Sequence, residues 1–302
     1  MDCERSLAET NPFLQEAERN SQTGPGDYEE SERSIRGYWE MAAEFGFPVT
    51  FFIHPELASI HRELFLELKE RGACLGLHLH SWKFSNGRYP SNLGAMSESD
   101  QRAVIGEALA MWRDAFGEHP RFFRPGTFSA NEATFRVLAE LGFVGGSMSI
   151  PGRYWSKFAA DWRGAERHPH VVPVRLPGRS APVPFVDVPL SVDVHSPGQE
   201  EGHTYFHDLR PDRDIDHRRI LRNIMYDLRS ERPLVRTVSV DTHNDHDFSD
   251  PDHPWAIRLR TVLAALPELA QETGQELVGA TIADVYELLR WSEAWERVEQ
   301  GA

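Results

Sequence analysis

The sequence predicts an α/β fold of about seven strand–helix units, a closed or slightly deformed (β/α)7 barrel, in one domain. Three observations predict it. Short continuous apolar runs, Pro48–Ile53 and Ala73–Leu77 among them, are the mark of strands buried on both faces. Segments with helical apolar spacing separate these runs. Strands that alternate with helices imply parallel crossover units. At 302 residues, 40% of them hydrophobic, the chain is long enough for one such barrel. We expect residues 27–302 to form it. Residues 1–26 are a polar N-terminal segment with one short first strand around Pro12–Glu18.

The elements follow in order. Ser31–Phe45 carries Ile35, Tyr38, Trp39, Ala42 and Ala43 at helical spacing, with Ser31 as N-cap and Gly46 as terminator. Pro48–Ile53 is a strand, Leu57–Glu70 a helix ending at Gly72, and Ala73–Leu77 a strand ending on His78. Ser97 or Ser99 caps a helix to Phe116. Arg121–Phe123 is a strand, Asn131–Leu141 a helix, and Phe143–Ser147 a strand. Residues 151–184 are rich in Pro, Gly and Arg without a period and read as a long excursion. Phe185–Val188 and Leu234–Val240 are strands. Asp216–Ser230, Pro254–Thr273 and Thr281–Glu299 are helices.

Charge and cysteine count narrow the function. With 32 basic and 47 acidic residues the net charge is −15, which disfavours non-specific binding to nucleic acid or to an anionic membrane. Two cysteines, Cys3 and Cys74, exclude a disulfide framework. No apolar run approaches the roughly 20 residues that span a bilayer. The N-terminal residues are polar and acidic, unlike a signal peptide, so a cytoplasmic location is expected. Lysine occurs only at 69, 83 and 157 among many arginines, which hints at a GC-rich bacterial genome.

In parallel α/β folds, chemistry collects where strands end. The residues just after the strands here are His54-Pro55-Glu56, His78-Leu79-His80-Ser81-Trp82, Arg124-Pro125-Gly126, Asp193-Val194-His195 and Asp241–Asp247. Four of these five contain histidine, in a chain with 14, so one rim is a candidate metal or acid–base site. His78 and His80 are two apart in an extended segment and point the same way, able to share one ion; the plainer alternative is a strand cap and a solvated ring. Arg124 is either part of a Pro-Gly turn or a guanidinium that holds a carboxylate. Asp241–Asp247 is either a solvated turn or the carrier of an acid–base histidine.

These segments together resemble the NodB-like polysaccharide deacetylases (carbohydrate esterase family 4-like) in divergent form. Phe47–Ile53 resembles that family's Thr-Phe-Phe strand. Cys74–Trp82 resembles its metal motif, Phe123–Asn131 its Arg-Pro-Gly motif, and Thr237–His243 the late strand that delivers a histidine. The likeness covers roughly residues 27–290. It implies a divalent metal ion, usually zinc, on one carboxylate and two histidines. It also implies a carboxylate base and a histidine acid.

The first motif departs from the family pattern, since the usual Thr-Phe-Asp-Asp strand is missing. Carry-over makes Glu16 the base and Glu18 the metal ligand, two apart on one strand face, with Asp27 as the other candidate. His80 stands in for the usual second histidine, whose place falls on Trp82. The expected ligands are then Glu18, His78 and His80. The expected catalytic set is Glu16, Arg124 beside the base, His243 as acid in preference to a solvated His246, and Asp241 orienting His243. Trp82 with Arg153, Tyr154 and Trp155 are substrate-contact candidates. The excursion that holds the last three, with Arg163, Arg175 and Arg179, lines a pocket or is a basic surface loop.

The implied activity is metal-dependent removal of an acyl group, acetyl first, from the nitrogen of an N-acylated sugar, oligosaccharide or related small molecule. Two rivals remain: a metal-free carbohydrate-binding barrel, and hydrolysis of another C–N bond in a cyclic amide or formamide. Oligomeric state is left open.

Overall fold

A computed structural model describes residues 1–6, 24–200 and 202–301. The strand expected around Pro12–Glu18 lies outside the described residues. The first strand they contain is β1 (Asp2–Cys3), two residues long and parallel to β2 (Thr50–Ile53). Between them, α1 (Tyr28–Glu44) starts on Asp27, whose carboxylate accepts from the Glu30 N–H at 2.7 Å; Ser31 lies inside the helix, not at its cap. The helix expected at 57–70 is two, α2 (Pro55–Ile60) and α3 (Arg62–Glu70), broken at His61.

The chain continues through β3 (Cys74–Leu79), α4 (Glu98–Phe116), β4 (Phe122–Pro125), α5 (Glu132–Glu140) and β5 (Gly145–Gly146). Ser97 caps α4, and Asn131 with Thr134 forms a capping box on α5. The 151–184 excursion has more order than its composition suggests. It holds a small hairpin, β6 (Tyr154–Trp155) with β7 (Ala160–Asp161), then β8 (His170–Val174), which pairs antiparallel with β9 (Val183–Asp187). The main sheet runs β1-β2-β3-β4-β5-β9-β8, parallel except at that last pair.

A hairpin, β10 (Val192–Glu200) with β11 (His203–Asp208), comes next, where sequence spacing shows no strand. Four helices finish the chain: α6 (His217–Glu231), α7 (Pro254–Thr273), α8 (Ile282–Arg290) and α9 (Glu293–Glu299). The segment expected as strand 234–240 forms no ladder among the described residues. It runs along Ser191, whose hydroxyl accepts from the Ser239 N–H at 2.9 Å and donates to the Thr237 carbonyl at 3.3 Å. It then reaches β1, where Asp2 pairs with His243 in a one-residue parallel bridge. Side-chain bonding at Ser191 replaces the backbone ladder that would make this a strand.

Register separates the two faces of the sheet. Cys3, Ile53, Leu77 and Phe123 are aligned across β1 to β4 and point into the main core against the helices. One residue earlier, Phe52 and Phe122 point the other way, packing with Val186 against Ile282, Val285 and Tyr286 of α8. α8 begins at the start of β2, where the Ile282 N–H donates to Thr50 Oγ1 at 3.0 Å. Side chains alternate along a strand, so Asp2 shares the Phe52 face, and Glu4, two residues on, follows it. No described helix is long and apolar enough to cross a membrane.

Candidate metal centre

At the C-terminal ends of β1, β3 and β4 the inner face changes from apolar to ionisable. His78 lies in register with Arg124 on β4, and His80 follows two residues later. Glu4 follows β1. Its Oε1 is 3.1 Å from His78 Nε2 and 2.8 Å from His80 Nε2. One ligand atom from each of the three lies within 4.8 Å of the other two. All three residues are buried.

Each side chain has a reason for its orientation. His78 Nδ1 is 3.0 Å from the Arg124 carbonyl oxygen. A carbonyl only accepts, so Nδ1 carries the proton and Nε2 faces the carboxylate. The His80 ring lies over Gly126, where a Cβ would come within 2.3 Å of it; this is what the glycine of Arg-Pro-Gly is for. Thr127 and Phe128 follow in left-handed backbone, φ 52° and 53°, an uncommon and strained conformation for non-glycine residues. Glu4 Oε2 faces the Lys83 ammonium at 3.1 Å.

Beside the cluster lies a second charged group. Arg124 Nη1 donates to Asp2 at 2.7 Å and to Asp241 at 2.5 Å, and Nη2 donates to Ser147 Oγ at 3.0 Å. Its guanidinium lies 4.4 Å from the Phe52 ring centroid. Asp2 Oδ2 is 4.0 Å from His78 Nε2.

Protonation follows from these neighbours. Burial alone would raise the Asp2 pKa; the Arg124 guanidinium, with His78 and His243, outweighs it and holds the carboxyl below its ordinary value. Glu4 is likewise buried, yet His80, Lys83 and His78 keep it well below the usual range. Burial pushes His80 down to about 4 against the pull of Glu4, so at neutral pH its ring is uncharged, the form that binds metals. For His78 burial is overcome by Asp2 and Glu4, and its pKa rises.

Residues 32–146 match the family model described as polysaccharide deacetylase. Over that segment the chain is similar to the polysaccharide deacetylases. No curated protein matches it in sequence. Among the solved structures that share the fold are the following three. Puue allantoinase aligns over 97% of this chain and 84% of its own, at 14% identity and TM-score 0.61. A Pseudomonas aeruginosa PAO1 protein described as a probable polysaccharide deacetylase aligns over the same shares, at 14% identity and TM-score 0.58. A Mycobacterium smegmatis protein described as a polysaccharide deacetylase covers 86% of this chain and 78% of its own, at 19% identity and TM-score 0.54.

Within this fold, the structure brings His78, His80 and Arg124 together at the ends of β3 and β4. Glu16 and Glu18 lie outside the described residues. The carboxylates the structure brings to the imidazoles are Glu4 and, next to it, Asp2. Asp27 is an exposed helix cap. His243 is half-buried and paired with Asp2 across the bridge. Asp241 binds Arg124. His246 packs against Trp255 and His253 and is half-buried, which corrects the expectation of a solvated ring.

The substrate candidates separate. Trp82 is half-buried and edge-on to His80, with ring centroids 5.6 Å apart. Arg153 is fully buried, 3.4 Å from Asp208 and stacked on Trp155 and Tyr205. Trp155 is buried with Phe128, Ile150 and Leu190, and Tyr154 lies against His203 and Arg163. Arg163, Arg175 and Arg179 are exposed. Sequence reasoning missed Asp2, Glu4, Lys83 and Ser147. The available signal was Asp2-Cys3-Glu4, an acid pair with the same spacing as Glu16 and Glu18.

Proposed function

We propose that the protein is a metal-dependent amide hydrolase, an N-deacetylase acting on an N-acylated sugar or related small molecule. The observation that carries this reading is the convergence of Glu4, His78 and His80 on one point, with the Arg124-bound Asp2 beside it. One carboxylate and two imidazoles fit a divalent ion, with zinc favoured by the donor set. An ion bound there supplies Lewis acidity and acidifies water.

The chain's own residues supply the rest. Asp2 is the base: ionised at neutral pH, it accepts the proton of the attacking water. Arg124 holds Asp2 in place by a charge-assisted hydrogen bond. His243, paired with Asp2, delivers a proton to the departing nitrogen, which as a free amide anion would be a poor leaving group. Asp241 shares the Arg124 guanidinium and fixes its orientation. Trp82 and His243, the half-buried residues at the edge of the cluster, contact the substrate. On the expectation of a cytoplasmic location, a small N-acylated sugar, nucleotide sugar or biosynthetic intermediate is favoured over intact cell-wall polymer. We retain 27–302 as the barrel and add β1 to it.

The test is metal analysis of the purified protein with a panel of N-acetylated sugars, N-formyl compounds and cyclic amides. Zinc-dependent acetate release is the expected result. Because the aligned Puue allantoinase shares the fold over 97% of this chain, the panel includes ring-opening amides. Ring opening without acetate would move the assignment to that C–N bond. Carbohydrate binding with neither metal nor turnover would overturn it.

A further inference from the structure

We propose that Asn244 is a positioning residue for Glu4, through which the metal carboxylate and the His243 segment are set as one unit; the proposal rests on the metal reading above. β1 is only two residues long, and its ladder with β2 stops at Cys3, whose carbonyl accepts from the His54 N–H at 2.9 Å. Glu4 therefore leaves the ladder while fully buried. Its own N–H and C=O need partners there, because a buried backbone group left unpaired is costly.

The Asn244 side chain meets both. Its Oδ1 accepts from the Glu4 N–H at 2.7 Å, and its Nδ2 donates to the Glu4 carbonyl at 3.1 Å. This two-point pairing copies what a neighbouring strand would do, with a side-chain amide in place of a peptide. Nδ2 also donates to Ser31 Oγ at 2.8 Å, and that hydroxyl lies 3.0 Å from His61 Nε2. Asn244 and Ser31 are fully buried. The pattern settles which end of the amide is oxygen, since a backbone N–H needs an acceptor and a carbonyl needs a donor. Aspartate has the acceptor and no donor. Alanine has neither.

The backbone of the same residue closes the unit. The Asn244 N–H donates to the Asp2 carbonyl at 3.2 Å, and the Asp2 N–H donates to the Thr242 carbonyl at 2.8 Å. Asn244 thus binds the backbone of both acidic residues, Asp2 and Glu4, and it directly follows His243. The consequence is specific. Loss of the amide leaves the Glu4 side-chain contacts in place but frees the backbone from which they project. Outer-sphere losses of this kind weaken metal binding by about 10–100-fold.

The experiment compares wild type, Asn244→Asp, Asn244→Ala and Ser31→Ala, with His78→Ala as control. Cobalt(II) affinity is measured by chelator competition, the visible spectrum of the cobalt form is recorded, and metal-free thermal midpoints are taken. Asn244→Asp should weaken cobalt binding by about 10–100-fold and change its spectrum. Ser31→Ala should do the same more weakly, by several-fold, and it decides the matter if neither Asn244 variant folds. Wild-type affinity and spectrum in the folded variants, whatever their thermal midpoints, would overturn the proposal and leave the metal reading intact. No cobalt uptake by wild type would sink both.

Discussion

Strands β2 to β4 and the β1 edge of the sheet build the same centre by different means. β2, β3 and β4 are apolar runs of four to six residues with continuous register. Hydrophobic burial makes these strands, and His78, His80 and Arg124 are the positions reached as they end. The β1 edge has almost no strand. β1 is two residues long, and segment 241–244 meets it at one bridge. Yet this edge carries Asp2, Glu4, His243 and Asn244. There the structure is held by buried polar contacts between residues 240 apart in sequence, such as Glu4 with Asn244, and by the Arg124 fork onto Asp2 and Asp241. A site can thus be half templated by burial and half assembled by hydrogen bonds. The second half should fail more sharply when one polar partner is removed, since the other is left buried and unpaired.

The largest effect is expected from the ligands themselves. His78→Ala, or Glu4→Gln from the other region, should abolish both bound metal and turnover, read by elemental analysis of the purified proteins beside the amide assay. A His78/His80 double variant that keeps wild-type zinc would break the assignment. Next come the groups that do not hold the ion. Asp2→Asn should keep its metal and lose about 10²–10⁴-fold in turnover, the range for a lost general base. Arg124→Ala should lose on the order of 10²-fold by misplacing that base. Metal content falling in step with activity would make Arg124 a folding residue.

A smaller and conditional effect separates the two histidines of the late segment. His243→Ala should slow hydrolysis of amides with basic leaving groups and spare an activated ester, which needs no proton. His246→Ala should affect both alike, through its packing on Trp255. The reverse pattern would exchange their roles. The smallest effect probes the templated strands. Gly126→Ala places a Cβ against the His80 ring, within 2.3 Å if nothing moves. Metal affinity should fall by about 10-fold, as for other losses of ligand orientation. An unchanged affinity would show that the 126–128 turn yields instead.

Legibility in the sequence follows the same division. The Thr-Phe-Phe strand, the His-Leu-His pair and Arg-Pro-Gly are readable because buried strands announce themselves as apolar runs. Asp2-Cys3-Glu4 is not, since two strand residues have no period and an acid pair looks the same at 2 and 4 as at 16 and 18. The late strand read at 234–240 is only an extended segment, because Ser191 hydroxyl bonds take the place of a ladder. Arg153 looked like a substrate contact, as a basic residue in a loop does, until Asp208, Trp155 and Tyr205 enclosed it.

By itself, then, the sequence determined the strand–helix order from α1 to β5, the parallel α/β class and the local motifs on β3 and β4. Periodicity encodes burial within a few residues, and these features need nothing more. Only the tertiary structure decided that Glu4 faces the two imidazoles, that Asp2 is the acid held by Arg124, and that Asn244 joins β1 to the histidine segment. Those choices depend on which backbone ends level with His78 on the inner face. Register and long-range hydrogen bonds settle that, and neither leaves a trace in local composition.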